Sequence, residues 1–338
     1  MIATVALRFA VLYFGLFCFT SQIASMLLPI PGMELPDIDA LPPIRPLVLW
    51  VARHLLRLQG EIPYAPSGSG DKTYDWVWML LRVALAFFGA AIWSVLSRPG
   101  PDAVLRTPLY RWFCLLLRCG VGTQMLSYGF SKLVPLQMPF PSLSRLVEPF
   151  GNFSPMGVLW SSIGASPGYE MFLGLVEVVA GTLVLLPWTS AAGALLCCAA
   201  SLQIFVLNLT YGIPVKLLSF HLLAMSLLIA LPAVAGLLRI VHRVSRRSNA
   251  PELAWRGAVL CQCLFAAYWL IVQTHGAYGE WFEYGGGAPR PVLYGIWNIE
   301  TQIADGRELP PLLTEAGRFR RVIFEEYAER AVLQRMDD

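Results

Sequence analysis

The stretch LNLTYGIPVKLLSFHLL, residues 207–223, joins two long apolar runs through a short polar turn. The runs on either side, 190–210 and 214–236, are each close to the ~20 residues that an α-helix needs to cross a bilayer. The pattern therefore predicts a helical hairpin in a membrane. Lys216 and His221 stand at the start of the second run, where lipid is expected, and they are the first candidates for a functional site.

The composition predicts an integral membrane protein. Of 338 residues, 56% are hydrophobic and only 14% are charged, whereas a soluble domain carries about 25% charged residues. The mean hydropathy of +0.58 agrees. The net charge of +3 is too small to indicate nucleic acid as a partner. The seven cysteines lie inside apolar stretches without C-x-x-C spacing, so we expect them to be small apolar fillers rather than a disulfide framework.

Seven apolar segments predict seven transmembrane helices, because backbone groups in hydrocarbon must be satisfied within the segment itself. The first segment is longer than the apolar region of a signal peptide and has no clear cleavage site, so we expect it to be retained. The seven predicted spans are 4–28, 76–97, 108–129, 168–187, 190–210, 214–236 and 253–274.

Arginines in the short loops predict the orientation. Those that follow the second and sixth spans are Arg98, Arg106, Arg239, Arg243, Arg246 and Arg247. Because cytoplasmic loops are enriched in Lys and Arg, we expect the N-terminus and both basic loops in the cytoplasm and the C-terminus outside. The opposite orientation is the alternative, and it would place the densest basic loop outside.

Two of the loops predicted outside the membrane are also expected to be ordered. Residues 46–58 read as an amphipathic helix that lies in the membrane plane, with Arg53, His54 and Arg57 on one face. The loop 130–167 mixes Pro, Gly and apolar residues, which favours a re-entrant or interfacial cap over a solvated linker.

The pattern changes after the seventh span. Short segments of alternating polarity flank the turn ADG at 304–306 and predict a small β-rich extracytoplasmic module. Three strands are few for an independent fold, so the module is either incomplete or completed by the membrane domain. The predicted organisation is two N-terminal helices with a long outer loop over 1–107, four further spans over 108–238, a basic loop with the last helix over 239–275, and the β-rich tail over 276–338.

Most polar side chains in spans two to six fall in the outer half of the predicted membrane. Glu177 and Arg118 come out near the midplane, where an ionised group costs from ~2.5 to above ~10 kcal/mol. Pairing Glu177 with Arg118 or Arg82 is therefore the least costly arrangement. The predicted catalytic residues are Glu177, His221 and Lys216. The predicted ligand-binding residues are Arg118, Asn208, Glu170, Arg82 and Gln203.

Two interpretations of this polar cluster stay open. The side chains either act only as interhelical hydrogen-bonding groups, worth ~0.6–2 kcal/mol each, or line an outward-opening cavity for a ligand, a substrate or a proton. The sequence has no nucleotide-binding, nucleophile-elbow or H-E-x-x-H motif. No pair of histidines has ligand spacing on one helix, and no metal site is predicted.

Four stretches resemble the DoxX-like family of bacterial membrane proteins, namely YGFSKL at 128–133, SPMGVLW at 154–160, GLVEVVAGTLVLLP at 174–187 and LNLTYGIPVKLLSFHLL at 207–223. The resemblance covers about residues 108–236, and the flanks are similar to a larger subgroup with extra N-terminal helices and a C-terminal β module. Glu177, Asn208, Lys216 and His221 match positions that the family fills with polar residues. Gly212 stands where the family usually has Asp, which removes a carboxylate beside Lys216.

The resemblance implies a four-helix core in the bacterial cytoplasmic membrane and a redox-linked function within a protein complex. It also implies a quinone or a small sulfur compound as the ligand, with Lys216 and Arg118 holding an anionic or carbonyl group while Glu177 and His221 move protons. The alternative is a non-enzymatic transporter, assembly factor or partner-docking subunit.

Overall fold

The fold is seen in a computed structural model that describes residues 2–27, 38–64, 70–97, 108–241, 255–326 and 330–336. Within these ranges the protein is mostly helical, as predicted. The helices are α1 (Ile2–Phe19), α2 (Ile23–Leu27), α3 (Ile44–Trp50), α4 (Thr73–Leu96), α5 (Pro108–Leu133), α6 (Leu143–Val147), α7 (Pro155–Gly164), α8 (Pro167–Leu185), α9 (Ser190–Thr210), α10 (Lys216–Val241) and α11 (Trp255–Glu283).

Four of the described helices are long and apolar enough to cross a membrane: α4, α8, α9 and, from Gly257 onward, α11. They confirm four of the predicted spans. The spans predicted on α1 and α10 have shorter apolar segments, Thr4–Phe19 and Lys216–Pro232, and α5 is long but carries arginines and a lysine. The count of seven therefore stays a prediction. Most of the arginines that predict the orientation, in 98–107 and 242–254, lie outside the described residues.

The first predicted span is not one continuous helix. The structure breaks it at residues 20–22, between α1 and α2. At the break, the carbonyl and hydroxyl oxygens of Thr20 both accept hydrogen bonds from the guanidinium of Arg82 on α4. Arg82 thus gives a partner to a carbonyl near the end of α1, where helical carbonyls lack one within the helix.

Residues 1–130 and 173–275 form one compact unit. Its apolar core is shared by α1, α5, α8, α9 and α10, with Phe17, Leu117 and Met225 among the buried side chains. The helix α1 therefore packs into the same core as the four helices that the sequence predicted as a bundle. The helices α9 and α10 form the predicted hairpin and pack closely along each other, as do α1 and α4.

Small residues allow the helices of this unit to approach closely. A Cβ added at Gly193 of α9 would overlap the backbone of Leu183 and Val184, and one added at Gly181 of α8 would lie 2.9 Å from the carbonyl oxygen of Gly122. Membrane helices pack in this way because lipid gives no hydrophobic driving force between them, so close backbone contact has to supply the attraction.

The amphipathic helix predicted at 46–58 is confirmed over most of its length. It begins as α3 and continues as a π-helical turn over Val51–Leu55. Its buried face sets Val48 and Ala52 against Tyr74 and Trp78 near the start of α4. The predicted polar residues Arg53, His54 and Arg57 are exposed.

Residues 131–172 and 276–338 form the second compact unit. The predicted cap contains the short helices α6 and α7. The tail contains the strands β1 (Gly295–Asn298), β2 (Ile303–Ala304), β3 (Arg307–Glu308), β4 (Phe319–Phe324) and β5 (Ala331–Arg335). These form an antiparallel sheet in the order β1-β4-β5 and a separate β2–β3 hairpin.

The sheet predicted in the tail is thus confirmed, with five short strands where three were predicted, and α11 continues past the predicted boundary at 276. The hairpin turns at Asp305 and Gly306, whose φ values of 51° and 75° are the left-handed values that a tight hairpin turn requires. Within this unit the Glu325 carboxylate accepts from the backbone N–H groups of Leu143 and Ser144 at the start of α6, so it joins the sheet to the cap.

Candidate functional site

A cavity of about 160 Å³ lies in the first unit, between α1, α4, α10 and the chain that precedes α4. The helix α4 lines it with Asp75, Trp78 and Arg82, whose spacing of three and four residues keeps them on one face of the helix. Phe17 of α1 and His221 of α10 complete the inner part of the wall.

Arg82 is the buried cation of this cavity, with 6% of its surface exposed. Its Nε donates to the hydroxyl of Thr20 at 3.0 Å and its Nη2 to the Thr20 carbonyl. The guanidinium carbon lies 4.8 Å from the centre of the Trp78 ring and 5.4 Å from that of Phe17. Aromatic faces stabilise a partly desolvated cation, so these contacts explain how an arginine is held here.

His221 is fully buried and both of its ring nitrogens are bonded. Nδ1 lies 2.5 Å from the Leu217 carbonyl oxygen and Nε2 lies 2.6 Å from the Tyr13 hydroxyl. A carbonyl only accepts, so Nδ1 carries the proton, and in the neutral ring Nε2 then accepts from the tyrosine. The ring stacks on Phe17 with centroids 3.9 Å apart. This arrangement makes His221 a fixed wall of the cavity and gives it no nitrogen to offer a ligand directly.

The other end of the cavity is formed by polar residues of α4 and of the chain that precedes it. Asp39 accepts from the Tyr64 hydroxyl at 3.1 Å. The Asp75 carboxylate accepts from the backbone N–H of Lys72 at 2.9 Å and lies 3.9 Å from its Nζ. Asp39 and Asp75 also act electrostatically on Arg82. The cavity thus has carboxylates at one end and a guanidinium at the other.

Lys216, predicted as a catalytic residue, lies at the start of α10 and is bonded there. Its Nζ donates to Ile213 O at 2.9 Å and to the Asp71 carboxylate at 3.4 Å. The same carboxylate accepts from the backbone N–H groups of Lys216 and Leu217 at 2.9 and 3.0 Å. Asp71 therefore caps α10 from a distant part of the chain. It places a carboxylate beside Lys216, although Gly212 stands where the DoxX-like family usually has the aspartate.

Two predicted ligand-binding residues tie helices together. Arg118 donates from Nε to the carbonyl of Val184 at 2.9 Å and from Nη2 to that of Leu185 at 2.8 Å. These carbonyls end α8 and have no partner within the helix. Asn208 donates from Nδ2 to the Ser219 hydroxyl at 2.9 Å and to Val215 O at 3.3 Å, which joins α9 to α10.

The remaining predicted residues are not among those that line the cavity. In the second unit, Glu170 is completely buried and accepts from the backbone N–H of Met138 at 2.8 Å. In the first unit, Glu177 is buried and acts electrostatically on Tyr128. Gln203 is exposed on α9, and its role in ligand binding stays a prediction.

The contacts of Arg82 and Arg118 lend no support to the predicted pairing of either arginine with Glu177. Arg118 uses its guanidinium on the end of α8, and Arg82 is bonded to Thr20 and attracted by Asp39 and Asp75. Of the eight predicted site residues, Arg82 and His221 line the cavity.

Several cavity residues were missed by the sequence argument. The spacing of Asp75, Trp78 and Arg82 is visible in the sequence and would have placed them on one face of α4. Asp39 and Tyr13 had no such signal, because each joins the site through a contact with a distant part of the chain. Among the described residues no group of three His, Cys, Asp or Glu side chains is placed to hold a metal ion.

Together the apolar helices and the polar cavity define the class of this protein: a mostly α-helical membrane protein. The chain is similar to "Uncharacterized protein YwoB" from Bacillus subtilis (strain 168), with 35% identity over 102 residues, which is 30% of this chain and 64% of that protein. The chain therefore covers less than two thirds of that relative's length. No family model matches the chain. No solved structure matches it either.

Proposed function

We propose that this protein is a DoxX-like protein of the bacterial cytoplasmic membrane with seven spans, a cytoplasmic N-terminus and an extracytoplasmic C-terminus. The spans predicted over 108–129 and 214–236 coincide with α5 and α10, and the first predicted span coincides with α1 and α2 together. The 26 residues of α5, at 1.5 Å per residue, reach about 39 Å, which exceeds the ~30 Å of hydrocarbon. Arg111 is exposed near one end of α5, where a long side chain reaches the headgroups.

The cavity between α1, α4 and α10 is the proposed binding site, and a quinone ring is the proposed ligand. The observation that carries this proposal is the combination of a cavity of about 160 Å³ with Arg82, Phe17, Trp78 and His221 in its wall. An apolar cavity of about 150 Å³ accepts a single benzene ring. Aromatic side chains supply faces for stacking, and Arg82 supplies the donor that a quinone oxygen needs.

The chemistry proposed for the individual residues follows from their bonds. Arg82 orients the ligand by donating to its oxygen, since Nη1 takes no part in the bonds to Thr20. His221 and Tyr13 hold the wall in one geometry, and a proton can pass between them because the hydroxyl and Nε2 share a hydrogen bond. A redox role in a complex would use this site to bind the quinone, while Glu177 and Lys216 support the helix bundle.

The experiment that tests this function measures quinone in lipid extracts of the purified protein. We expect wild type to retain quinone in amounts comparable to its own molar amount. The substitution Ser21→Phe adds a ring to the cavity lining and should remove the quinone. The control Ser25→Phe adds the same ring to a residue outside the lining and should retain it. Wild-type protein that carries no quinone, and binds none when it is added, would refute the proposal.

A second candidate is a non-enzymatic scaffold or partner-docking subunit. The observation in its favour is that Arg118, Asn208, Lys216 and Arg8 all hold helix ends or helix pairs. Arg8, for example, donates to the carbonyls of Trp93 and Ser97 at the end of α4 at 3.2 and 3.1 Å. If this role is the right one, Ser21→Phe will leave the copurifying proteins unchanged, whereas substitutions on exposed surfaces will release them.

A further inference from the structure

The cavity carries opposite charges at its two ends. This polarity affects whether the cavity binds the dihydroxy or the dicarbonyl form of a ring ligand. Asp75 and Arg82 are seven residues apart on α4, which is about 10 Å along the helix axis at 1.5 Å per residue. The separation is nearly two full turns, so both side chains lie on the cavity face. The helix itself therefore sets a carboxylate at one end of the cavity and a guanidinium at the other.

The other lining residues reinforce this difference. At the Asp75 end, Asp39 adds a second carboxylate and Lys72 a single ammonium group, so the charged lining side chains there sum to −1. At the Arg82 end the lining carries +1. Trp78 stands beside Arg82. The Arg82 end of the cavity thus offers a guanidinium donor, and the Asp75 end offers carboxylate acceptors.

The carboxylate of Asp75 retains capacity to accept a further hydrogen bond. Its Oδ2 accepts from the Lys72 backbone at 2.9 Å and lies 3.9 Å from Nζ. A carboxylate offers about four lone-pair sites on its two oxygens. A ligand hydroxyl that reaches this end of the cavity therefore meets carboxylate oxygens that can accept its hydrogen bond, whereas a ligand carbonyl meets oxygens of like partial charge.

From this polarity we infer that the cavity binds the dihydroxy form of a small aromatic ring in preference to the dicarbonyl form. One hydroxyl oxygen accepts from Arg82 while the other hydroxyl donates to Asp75. The dicarbonyl form keeps the first contact and loses the second, because it has no donor. The inference rests on the proposed function and makes Asp75 a specificity-determining residue. It concerns binding alone and requires no electron transfer.

The test is calorimetric titration of the purified protein in detergent with three ring probes under argon. Hydroquinone offers two donors, 4-methoxyphenol one, and 1,4-dimethoxybenzene none. A hydrogen bond to a charged group changes affinity by about tenfold or more. We expect hydroquinone to bind at least about tenfold more tightly than 1,4-dimethoxybenzene, with 4-methoxyphenol between them.

The matched variants are Asp75→Asn and Glu61→Gln. Asparagine keeps the shape of the side chain and an oxygen that accepts from the Lys72 N–H, so α4 keeps its cap, and a thermal melt checks the fold. Asp75→Asn should weaken hydroquinone binding about tenfold and change 1,4-dimethoxybenzene binding less than about twofold. Glu61 is exposed and outside the lining, so Glu61→Gln should change neither.

The outcomes separate the two proposals. If the protein binds none of the three probes and no quinone, the proposed function fails and the inference fails with it. If a quinone binds but hydroquinone shows no preference over 1,4-dimethoxybenzene, or Asp75→Asn weakens all probes equally, the dihydroxy preference alone is overturned. If Asp75→Asn does not fold, the ranking of the three probes on wild-type protein decides the question.

Discussion

The bonds of Asp71 predict that this one residue stabilises the start of α10 more than the ion pair suggests. Asp71→Ala removes the acceptor of two backbone N–H groups, those of Lys216 and Leu217, together with the 3.4 Å contact to the Lys216 ammonium. The Asp71 side chain is only 8% exposed, whereas that of Lys216 is 29% exposed. Water therefore replaces the lost acceptor poorly.

The loss of stability expected for Asp71→Ala can be estimated from the separate contacts that the substitution removes. Loss of a capping side chain costs about 0.5–2 kcal/mol, and a buried donor left without an acceptor adds about 1–3 kcal/mol. A partly exposed ion pair contributes no more than about 1 kcal/mol. We therefore expect Asp71→Ala to lower the free energy of unfolding by about 2–4 kcal/mol. Asp71→Asn keeps one acceptor oxygen and should lose about half as much.

The measurement is reversible unfolding in mixed micelles, followed by circular dichroism during a titration with sodium dodecyl sulfate. The control is Lys216→Met, which removes the ammonium group with its contacts to Asp71 and Ile213 O and leaves both backbone bonds, so it should cost less than Asp71→Ala. The reasoning is wrong if Lys216→Met costs as much as Asp71→Ala, or if Asp71→Ala changes the free energy of unfolding by less than about 0.5 kcal/mol.

Three further predictions address the helix packing and the topology. Arg118→Leu should lower the free energy of unfolding by about 2–4 kcal/mol, because two terminal carbonyls of α8 lose their donor; Arg118→Lys should recover part of this, and equal losses for both variants would contradict the role. Gly193→Ala should cost about 1–3 kcal/mol through overlap with the α8 backbone, whereas Gly276→Ala, with open space around its added Cβ, should be neutral or stabilising in the same titration. Alkaline phosphatase fused after Asp338 should be active in whole cells and a green fluorescent protein at the same point should be dark, and the reverse pattern would overturn the proposed topology.

The sequence alone determined the class of the protein and the position of its long elements. Its low charge and its long apolar runs predict membrane helices, and the described helices follow the predicted spans closely. The strands of the tail were also predictable, because their period-two polarity and the ADG turn are local signals. Helices and strands of this kind depend on residues close in sequence, so the local sequence is enough to predict them.

The tertiary structure decided which polar groups meet. Arg82 and His221 were both candidates, yet their shared cavity depends on the break at Thr20 and on Phe17 of α1, which lie far from both in sequence. Lys216 appeared functional because its partner Asp71 is 145 residues away. The depth of Arg118 was estimated from the sequence, but its contacts with the end of α8 depend on how two helices cross.

The physical reason for this division is the range over which each interaction acts. Hydrophobic periodicity fixes where a helix lies and which segment enters the membrane, since transfer energies add up along one segment. A hydrogen bond acts over about 3 Å and depends on the packing of separate helices against each other. The sequence therefore determined that buried polar side chains need partners. Only the tertiary structure decided that the partners of Arg82 are Thr20 and the rings of Phe17 and Trp78.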